Sequence, residues 1–375
     1  MIIIAAFSVS NASVQQMHDA ARADCLLLTI LGIALLLLST LAREFGRIHP
    51  SEDQILVSDH SPSAHSFEIV TLPVPAEKAP LRARPLLSVD VEDYFQTEAM
   101  SAAFPRERWK DNPLRVVSNT RRLLDLFDEF GAKGTFFTVG WIADQVPALV
   151  REIADRGHEL ACHSYWHRTV YSLSPDEFRR DTRRAISAIQ DAAGVRVQGY
   201  RAPTWSITRQ SLWAIQILAE EGFSYDSSIF PVHHDLYGIP GALPTPHMWK
   251  FDHTQILEIP PATFTLGQSR LPAAGGGYLR IFPLRFSCMA IDQLNHDRAL
   301  PVVYMHPWEI DPEQPRGNVG MKSQFRQYWG LNTFEGKLRR LLAHYDFVPF
   351  RDRWAEVGMA APEVKLENVP MAVAS

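Results

Sequence analysis

Cysteine is scarce in this chain, with three residues among 375, namely Cys25, Cys162 and Cys288. Three widely separated thiols exclude a disulfide framework and a zinc site built on clustered cysteines. Basic charge is not in excess either, because 37 Lys and Arg stand against 42 Asp and Glu, which gives a net charge of −5. A chain without a basic surplus has no general electrostatic attraction for nucleic acid, so we expect no nucleic-acid partner.

Internal repeats and phosphate-binding loops are also lacking. The glycine run Gly275-Gly276-Gly277 is followed neither by a lysine nor by an evident helical pattern, and a phosphate loop requires both. We interpret the run as a tight turn or as a close approach of the backbone to a substrate, with Tyr278 as a candidate substrate contact. The overall composition, 46% hydrophobic and 21% charged, is that of a globular protein and argues against wholesale disorder.

One long apolar run lies near the N-terminus, at residues 25–42, which carry no charged side chain. About 18 residues are just enough to cross a bilayer as a helix, and a buried core helix normally shows polar residues on one face. We therefore expect a transmembrane or signal segment at 25–42. An N-terminal tail at 1–24 precedes it, and a linker at 43–82, rich in Pro, Ser, Ala and charge, follows it. Both an anchor and a cleaved signal are compatible with the pattern.

The charges that flank the apolar run bear on membrane orientation. Arg43 and Arg47 follow the run, whereas only Arg22 precedes it. Positive charge favours the cytoplasmic side, so the pattern weakly favours a cytoplasmic body attached to the inner membrane by a single segment.

Beyond the linker, strand-like and helical patterns alternate. Amphipathic spacing and capping residues predict helices at 114–130, 144–156, 174–193, 208–222 and 334–345. Apolar runs predict strands at 84–90, 135–139, 195–201, 223–227, 256–259 and 301–306. This alternation predicts a parallel sheet, and polar residues recur at strand ends, where α/β barrels build their sites. We expect an α/β fold, a distorted (β/α) barrel, with an open doubly wound sheet as the alternative.

A pair of histidines is the first candidate for chemistry. His163 and His167 are four residues apart at the end of an apolar run, and one helical turn would place both imidazoles on the same face. Two neutral imidazoles and one carboxylate form a three-ligand site for a divalent metal, with positions left for water and substrate. Ser164, between the histidines, is a candidate to support the ligands or the substrate. The alternative is structural, with one histidine in the core and the other on the surface.

A cluster of acids offers the carboxylate. Asp90, Glu92 and Asp93 close the first predicted strand, and three carboxylates so close together repel one another unless metal or ion pairs compensate. A strand places alternate residues on one face, so Asp90 and Glu92 share a face if the strand continues. Asp93 reaches that face only if the backbone turns. A solvated acidic turn is the alternative.

Three further polar residues stand at the ends of later predicted strands. Arg201 is followed by Ala202 and Pro203, and its guanidinium can bind a carboxylate in a bidentate pair and hold it ionised. His306 follows an apolar strand and belongs to a residue type that protonates leaving groups near neutral pH. Asp226 is a candidate to orient or tune that histidine. A surface ion pair for Arg201 and a core position for His306 are the alternatives.

The order of these motifs resembles that of the NodB-homology polysaccharide deacetylases, carbohydrate esterase family 4. The resemblance covers roughly residues 86–306, and the phrases Ser-Val-Asp-Val-Glu-Asp-Tyr-Phe and His-Pro-Trp-Glu-Ile-Asp-Pro are similar to the subgroup found with exosortase/PEP-CTERM exopolysaccharide systems. It implies a catalytic domain at 83–310 and a subgroup-specific extension at about 265–355, which leaves a flexible tail at 356–375. The motifs that carry it are the acidic strand end, Thr135-Phe136-Phe137, His163-Ser164-x-x-His167, Arg201-Ala202-Pro203 and the strand-end His306.

The resemblance also implies the role of each site residue. The bound metal is expected to be divalent, with zinc first and cobalt, nickel or manganese as alternatives. The positions that match the family's motifs are Asp90 as catalytic base, His163 and His167 as metal ligands, Arg201 as the residue that holds the base, and His306 as general acid.

The chain departs from the family pattern at two places. The usual adjacent Asp-Asp is replaced by Asp90-Val-Glu92-Asp93, so the third metal ligand is Glu92 or Asp93, and relatives with a one-residue spacer favour Glu92. Thr204 stands where an aromatic residue often follows Arg-x-Pro, at a position whose backbone N–H helps to hold the oxyanion. Trp205, next in the chain, is a candidate for an aromatic wall against a sugar ring.

The expected function is removal of N-acetyl groups from an amino-sugar polysaccharide by a metal-dependent hydrolase, in exopolysaccharide biosynthesis or modification. Its partners would be the N-acetylated polymer, the membrane and the exopolysaccharide assembly machinery. Two alternatives are a hydrolase of a small cyclic amide with the same fold and a non-catalytic carbohydrate-binding or scaffold protein.

Overall fold

The structure is a computed structural model that describes residues 84–365, apart from 268, 274, 297 and 298. The predicted tail at 1–24, the apolar segment at 25–42 and the linker at 43–82 lie outside the described residues, as do residues 366–375 of the predicted C-terminal tail. Within the described part of the chain, no helix has the length and apolar character needed to cross a membrane.

A large, mostly parallel sheet organises the described residues, in the strand order β10-β1-β2-β3-β4-β5-β7-β6-β11. The pairs from β10 to β7 are all parallel, whereas β6 pairs antiparallel with β7. β8 and β9 form a separate antiparallel pair. The strands are β1 (Leu86–Val91), β2 (Thr135–Thr138), β3 (Glu159–Cys162), β4 (Gly199–Tyr200), β5 (Tyr225–Asp226), β6 (His247–Lys250), β7 (Gln255–Glu258), β8 (Thr263–Leu266), β9 (Ser269–Pro272), β10 (Val302–Met305) and β11 (Glu363–Lys365).

The parallel part of the sheet curves so that its two ends approach each other. β10 lies at one end of the strand order, yet the amide of Ala262, just after β7, donates to the carbonyl of Val302 in β10 at 3.1 Å. A hydrogen bond thus joins β10 to the chain after β7, whereas a regular barrel would have a ladder of hydrogen bonds between two strands there. The α/β fold with a parallel sheet is confirmed, and this curvature favours the distorted barrel over an open sheet.

Helices follow most strands of the sheet. The predictions at 114–130, 174–193 and 334–345 are confirmed by α1, α4 and α9. The helices are α1 (Val116–Glu129), α2 (Gly140–Gln145), α3 (Pro147–Asp155), α4 (Pro175–Ala193), α5 (Trp213–Glu220), α6 (Gly276–Ile281), α7 (Leu284–His296), α8 (Met321–Tyr328), α9 (Leu331–His344) and α10 (Trp354–Ala360).

The best-predicted helix, α4, has the capping box that its sequence indicates. The Ser174 hydroxyl accepts from the backbone N–H of Glu177, and the Glu177 carboxylate accepts from the backbone N–H of Ser174. The helix ends at Gly194, whose φ of 69° lies in the left-handed region. These contacts satisfy amide and carbonyl groups that a helix end otherwise leaves without partners.

Several predicted elements have different bounds in the structure. The helix predicted at 208–222 is a 3₁₀ turn at Arg209–Ser211 followed by α5. The helix predicted at 144–156 is two helices, α2 and α3, which meet at Val146 with φ −137° and ψ 59°. Pro147 starts the second helix because proline disfavours the helical conformation in the residue before it. The strand predicted at 195–201 is reduced to Gly199–Tyr200, since residues 195–198 join no ladder.

The prediction for the glycine run was wrong in one respect, because a helix does follow it. Gly276 begins α6, and Gly275 makes an isolated bridge with Tyr304 of β10. A Cβ on Gly275 would lie 2.2 Å from Cδ1 of Tyr304, and one on Gly276 would lie 2.9 Å from its Cε2. The absence of side chains at these two glycines therefore makes room for the Tyr304 ring.

Candidate metal and active site

The predicted site residues converge at the C-terminal ends of the parallel strands. Asp90 lies near the end of β1 and Glu92 follows it, while His163, Arg201 and His306 directly follow β3, β4 and β10. Because β1 lies between β10 and β2 in the sheet, residues far apart in the sequence meet at one edge. This is the edge where α/β barrels carry their catalytic groups.

Glu92, His163 and His167 form a buried cluster that fits a metal ion. One ligand atom from each residue lies within 4.8 Å of the other two. Glu92 Oε2 lies 2.5 Å from His167 Nε2, and both side chains are buried. A cation held between the carboxylate and the imidazole would replace this direct contact and compensate the buried negative charge. Two histidines and one carboxylate are also a donor set of catalytic zinc.

The histidine pair lies in a loop, so the helical turn that its spacing suggested was wrong. Ser164 and His167 have φ angles of 58° and 50°, both in the left-handed region. The Ser164 hydroxyl accepts from the His167 amide at 3.0 Å, and the Asp181 carboxylate accepts from the amides of Tyr165 and Trp166. Ser164 thus stabilises the loop that carries the two histidines, and support of the metal ligands was one of the two roles predicted for it. The imidazole rings lie with centroids 5.1 Å apart.

The tautomer of His163 is set by its neighbour. Its Nδ1 lies 2.8 Å from the carbonyl oxygen of Arg201, and because a carbonyl only accepts, Nδ1 carries the proton. Burial lowers the pKa of His163 to about 4. The ring is therefore neutral, with the Nε2 lone pair available to a metal, which is the form that a ligand needs.

Burial and neighbouring imidazoles act in opposite directions on Glu92. Burial alone would raise its pKa, but the charge and hydrogen bond of His167, together with His306 and His163, lower the pKa of Glu92 to about 2. Its other oxygen, Oε1, accepts from the indole N–H of Trp308 at 2.9 Å. The carboxylate is thus held in place and ionised.

Asp93, the other carboxylate proposed as third ligand, points elsewhere. Its Oδ1 accepts from the Tyr94 amide at 2.9 Å, and its Oδ2 accepts from the amides of Arg115 and Val116 at 2.8 and 2.9 Å. Burial raises the pKa of Asp93 to about 6. The residue therefore joins the chain after β1 to the start of α1, and the structure brings Glu92, not Asp93, to the two histidines.

Asp90 and Arg201 form a buried ion pair. Arg201 Nη1 donates to Asp90 Oδ1 at 2.6 Å and to Ser88 Oγ at 2.9 Å, and the guanidinium lies 4.0 Å from the ring centroid of Phe137. Arg201 is fully buried, so its contacts leave it little freedom. The pair fixes Asp90 with its second oxygen, Oδ2, on the side of His306.

His306 faces both carboxylates of the site. Its Nε2 lies 3.8 Å from Asp90 Oδ2 and 3.8 Å from Glu92 Oε1. Burial lowers the pKa of His306, but the hydrogen bond and charge of Glu309, together with the charges of Glu92 and Asp90, raise it to about 9. The imidazole stacks on Trp308 at 5.1 Å between centroids. A protonated imidazole at this place can donate a proton to a substrate.

Glu309 is a site residue that the sequence analysis missed. Its Oε2 lies 3.1 Å from His306 Nδ1, and its Oε1 accepts from Arg280 Nε at 2.7 Å. Arg280 is held in turn by the backbone carbonyls of Gln327, Trp329 and Arg326. The spacing His306-Pro-Trp-Glu309 carried the signal, because a capping box joins the residue before a helical turn to the residue three positions later.

Asp226 was predicted to orient or tune His306, and this was wrong, since Glu309 occupies that role. Asp226 Oδ1 instead accepts from the Ser228 hydroxyl at 2.5 Å, and its carboxyl pairs with the buried carboxyl of Glu258. Burial raises the pKa of Asp226 to about 6 and raises that of Glu258 well above its usual range. Two buried carboxyls in contact share a proton.

The three predicted substrate contacts outside the metal loop differ in accessibility. Thr204 is half-buried, has a φ of 56° and lies four residues after the end of β4. Trp205 is buried, and its ring packs at 4.9 Å on Tyr304, so it serves the core rather than a sugar wall. The Tyr278 hydroxyl lies 2.8 Å from that of Tyr237.

Comparison with known proteins divides the chain into two matched regions. Residues 109–223 match the family model described as polysaccharide deacetylase. Residues 227–355 match a model described as a domain of unknown function, DUF3473. The first region contains His163, His167 and Arg201, whereas the second contains His306 and Glu309.

The curated relatives include several proteins that are named as deacetylases. A peptidoglycan deacetylase-like protein of Gibberella zeae is 27% identical over 185 residues, which are 48% of this chain and 54% of that protein. A peptidoglycan-N-acetylglucosamine deacetylase of Bacillus cereus is 30% identical over 98 residues, 26% of this chain and 36% of the relative. The chain thus spans about half the length of the first relative and about a third of the second.

A solved structure agrees with the fold. A crystal structure from Mycobacterium smegmatis that carries the name polysaccharide deacetylase superposes with a TM-score of 0.54 at 19% identity, over 80% of this chain and 99% of that chain. The described residues therefore have a fold similar to that of the Mycobacterium smegmatis protein. The part of the chain that resembles polysaccharide deacetylases in sequence is the region at 109–223.

Proposed function

We propose that this protein is a metal-dependent hydrolase that removes N-acetyl groups from an amino-sugar polysaccharide. The observation that carries the proposal is the buried Glu92, His163 and His167 cluster beside an acid and a base that face the same space. The deacetylase names of the relatives support it. The catalytic unit would extend from about residue 83 to 310, with the region at about 265–355 completing the site.

Glu92, His163 and His167 are the residues that would hold a divalent cation. When bound, such a cation acts as a Lewis acid that polarises a carbonyl and lowers the pKa of water. Zinc suits two imidazoles and a carboxylate, and cobalt, nickel and manganese share these ligands. Trp308 N–H and the Arg201 carbonyl fix Glu92 and His163 from behind, as outer contacts of metal sites do.

The protein's own side chains supply the proton transfers. Asp90, oriented by Arg201, accepts a proton from the attacking water as the water oxygen bonds to the acetamide carbon. His306 donates its Nε2 proton to the nitrogen as the carbon–nitrogen bond breaks, so water and acetamide give acetate and a free amine. Its raised pKa, about 9, keeps this proton in place at neutral pH.

Acetate release from N-acetylglucosamine oligomers, with and without a chelator, tests the function. We expect activity that the chelator removes and zinc restores, and a loss of at least about a hundredfold in Asp90→Asn, His163→Ala and His306→Ala. His253→Ala, at an exposed histidine, is the control. Full acetate release by folded Asp90→Asn would contradict the proposal. Hydrolysis of a small cyclic amide without release from oligomers would identify the alternative hydrolase.

We propose further that the protein acts in exopolysaccharide modification at the inner membrane, with residues 25–42 as its membrane segment. The support is the uncharged apolar run and its flanking arginines, which weakly favour a cytoplasmic body and contact with polymer assembly machinery. Fractionation of cells that express the chain with and without residues 25–42 tests the attachment. Protease access in spheroplasts tests the side, and recovery of both forms in the soluble fraction would refute the anchor.

A further inference from the structure

A buried ion pair behind His306 is the feature from which we infer more. Arg280 Nε donates to Glu309 Oε1 at 2.7 Å, and the two side chains are only 1% and 0% exposed. Both residues lie in the region at 227–355 that matches a domain of unknown function. Two opposite charges are costly to bury unless further hydrogen bonds compensate, so the other contacts of the pair indicate what it connects.

On one side, the ion pair holds His306. Glu309 Oε2 accepts from the backbone N–H of His306 at 3.0 Å and lies 3.1 Å from its Nδ1. Burial raises the pKa of Glu309, but the charge of Arg280 and the hydrogen bond and charge of His306 lower it below its usual value. The ionised carboxylate only accepts, so Nδ1 carries a proton. Nε2 is the atom that faces Asp90 and Glu92.

On the other side, the ion pair holds the turn between α8 and α9. Arg280 Nη1 donates to the carbonyls of Gln327 and Trp329 at 3.1 and 2.6 Å, and Nη2 donates to the carbonyl of Arg326 at 2.6 Å. Carbonyls at the end of a helix lack partners within the helix, and a cation near them is favourable. The planar guanidinium therefore fixes the end of α8 and keeps Nε for Glu309.

The neighbouring helices enclose the arginine. Lys337 Nζ of α9 donates to three carbonyls at the end of α6, at 3.1, 2.8 and 2.9 Å, which are those of Leu279, Arg280 and Phe282. Gly330 has a φ of 76°, and a Cβ there would lie 2.8 Å from the carbonyl oxygen of Arg280. Because α6, α8 and α9 meet around Arg280 at these distances, its backbone and side chain have little freedom.

A tryptophan joins the ion pair to the metal-ligand candidates. The Arg280 guanidinium lies 5.1 Å from the ring centroid of Trp308, and a cation over an aromatic face is attracted to it. The His306 ring stacks on the same indole at 5.1 Å between centroids, and the indole N–H donates to Glu92 Oε1 at 2.9 Å. Arg280 therefore supports His306 through two residues, Glu309 and Trp308.

We propose that Arg280 is a positioning residue for the general acid. It holds Glu309 against His306, so that the Nε2 proton of His306 is delivered to the nitrogen as the carbon–nitrogen bond breaks, and the α8–α9 turn holds Arg280. Arg280 itself is too deeply buried to touch a substrate. The inference rests on the proposed deacetylase function, and it assigns to the region at 227–355 the support of the acid.

The leaving group distinguishes a defect of the acid from a general loss of structure. The nitrogen of an acetamide departs as an amine only when it receives a proton, whereas the phenolate of an aryl acetate departs without one. Both reactions need the base Asp90 and the metal-ligand residues, because both begin with attack by an activated water. A misplaced His306 should thus slow hydrolysis of the amide and spare the ester.

Two substrates test the role of Arg280 on the full chain loaded with zinc. For Arg280→Met we expect kcat on N-acetylglucosamine tetramer to fall about tenfold or more with KM little changed, and kcat/KM on p-nitrophenyl acetate to stay within about threefold of wild type. Arg280→Lys should recover part of kcat, because an ammonium can pair with Glu309 but lacks the fork that reaches three carbonyls. Asp90→Asn should lose both activities.

Lys337→Met is the matched control. It removes a half-buried cation from the same junction of helices, and the hydrogen bonds that it removes go to backbone carbonyls rather than to Glu309. We expect its thermal stability to fall, while kcat on the tetramer stays within about threefold of wild type. Comparison with Arg280→Met therefore separates positioning of the acid from packing of the helices.

The outcomes separate the inference from the proposed function. If the wild type releases acetate from the tetramer but folded Arg280→Met keeps its kcat, loses both activities equally or matches Lys337→Met, the inference is wrong and the function stands. If the wild type releases no acetate from the tetramer, both fall. If the wild type does not hydrolyse the ester, kcat of the Arg280 and Lys337 variants on the tetramer decides, and Arg280→Lys replaces Arg280→Met if the latter does not fold. Zinc binding, measured by calorimetry, reports an intact metal site in each variant.

Discussion

Glu92 and Asp93 are neighbours in the chain, yet their carboxylates have opposite surroundings. Glu92 faces two imidazoles and an indole N–H, whereas Asp93 faces three backbone amides. Alternation along a strand predicted that Asp90 and Glu92 share a face, and the structure has this arrangement. The use of Asp93 to close a loop depends on a backbone turn and on Val116, which lies 23 positions later, and no local pattern reveals such a contact.

Amide substitutions at the two positions should separate metal binding from stability. Glu92→Gln should lower the affinity for zinc at least about tenfold, because it removes the negative charge from the cluster. Asp93→Asn should leave zinc binding nearly intact but lower the free energy of unfolding by about 1–3 kcal/mol, since a buried acceptor for amides is replaced in part by a donor. Calorimetry and urea denaturation measure both, and strong zinc binding by Glu92→Gln together with its loss in Asp93→Asn would reverse the assignment.

Glu309 makes His306 a stronger base, so Glu309→Gln should shift the pH dependence of activity. The hydrogen bond and charge of Glu309 raise the pKa of His306, which must be protonated to act as the acid. Without that charge the pKa falls, and the high-pH limb of kcat/KM should move to lower pH by about one unit or more. Glu313→Gln, at an exposed acid nearby, should leave the profile unchanged. An unshifted profile in folded Glu309→Gln would exclude the role.

The chemistry of single residues was more predictable than their partners. Asp90, His163, Arg201 and His306 lie together at one edge of the sheet as their strand-end positions predicted. Arg280 was missed because its ion pair with Glu309 leaves no local pattern in the sequence, whereas Glu309 was overlooked although its spacing from His306 carried a signal. Asp226 was assigned to His306 because both are strand-end residues, but Ser228 and Glu258 lie closer to it.

Among the secondary-structure elements, helices whose capping residues can be recognised in the sequence were predicted best. α4 has its capping box and terminal glycine in the sequence, whereas α6 begins in a glycine run that argues against a helix. What determines α6 is the Tyr304 ring packed on that run, a contact between distant parts of the chain. The short strands β6 and β11, at the end of the sheet opposite β10, likewise depend on their neighbours and were not predicted.

Alanine substitutions in the glycine run should distinguish steric from helical effects. In Gly275→Ala the new Cβ would meet Tyr304 Cδ1 at 2.2 Å, so the ring must move and stability should fall by about 1–3 kcal/mol. Gly277→Ala is the matched control, because its Cβ would meet only Arg280 Nη2 at 3.5 Å and alanine favours a helix. Thermal denaturation measures both, and equal stability of the two variants would contradict the packing argument.

At the scale of the whole molecule, the fold class followed from the alternation of strands and helices, but the closure of the sheet did not. The hydrogen bond from the Ala262 amide to the Val302 carbonyl brings the two ends of the parallel sheet together. It joins two segments whose sequences contain no pattern that indicates their contact. Closure depends on sheet twist and on the length of irregular segments, and neither has a signature in hydrophobic periodicity.

Buried histidines make the stability of the folded body sensitive to acid. Burial lowers the pKa of His247 to about 4 from an ordinary value of 6.5, so below pH 6.5 the unfolded chain binds the proton first. The stability that the neutral ring contributes is complete above pH 6.5 and declines by about 1.4 kcal/mol per pH unit as the pH falls towards 4.

His247→Gln should therefore flatten the pH dependence of unfolding. The difference in unfolding free energy between wild type and variant should shrink between pH 7 and pH 5, as measured by urea denaturation. His253→Gln, at an exposed histidine, should leave the wild-type slope in place. A constant difference between wild type and His247→Gln across this range would show that His247 does not titrate as its burial requires.

The pairing of β10 with β1 sets the timing of folding during synthesis. Ser88 donates to the carbonyl of Val303, 215 residues later. During synthesis, β1 therefore cannot pair with β10 until most of the chain has left the ribosome. A nascent chain that stops before β10 leaves β1 with an open edge, a template for pairing with other chains. Prematurely terminated products should thus be cleared or aggregate rather than accumulate as partial enzymes.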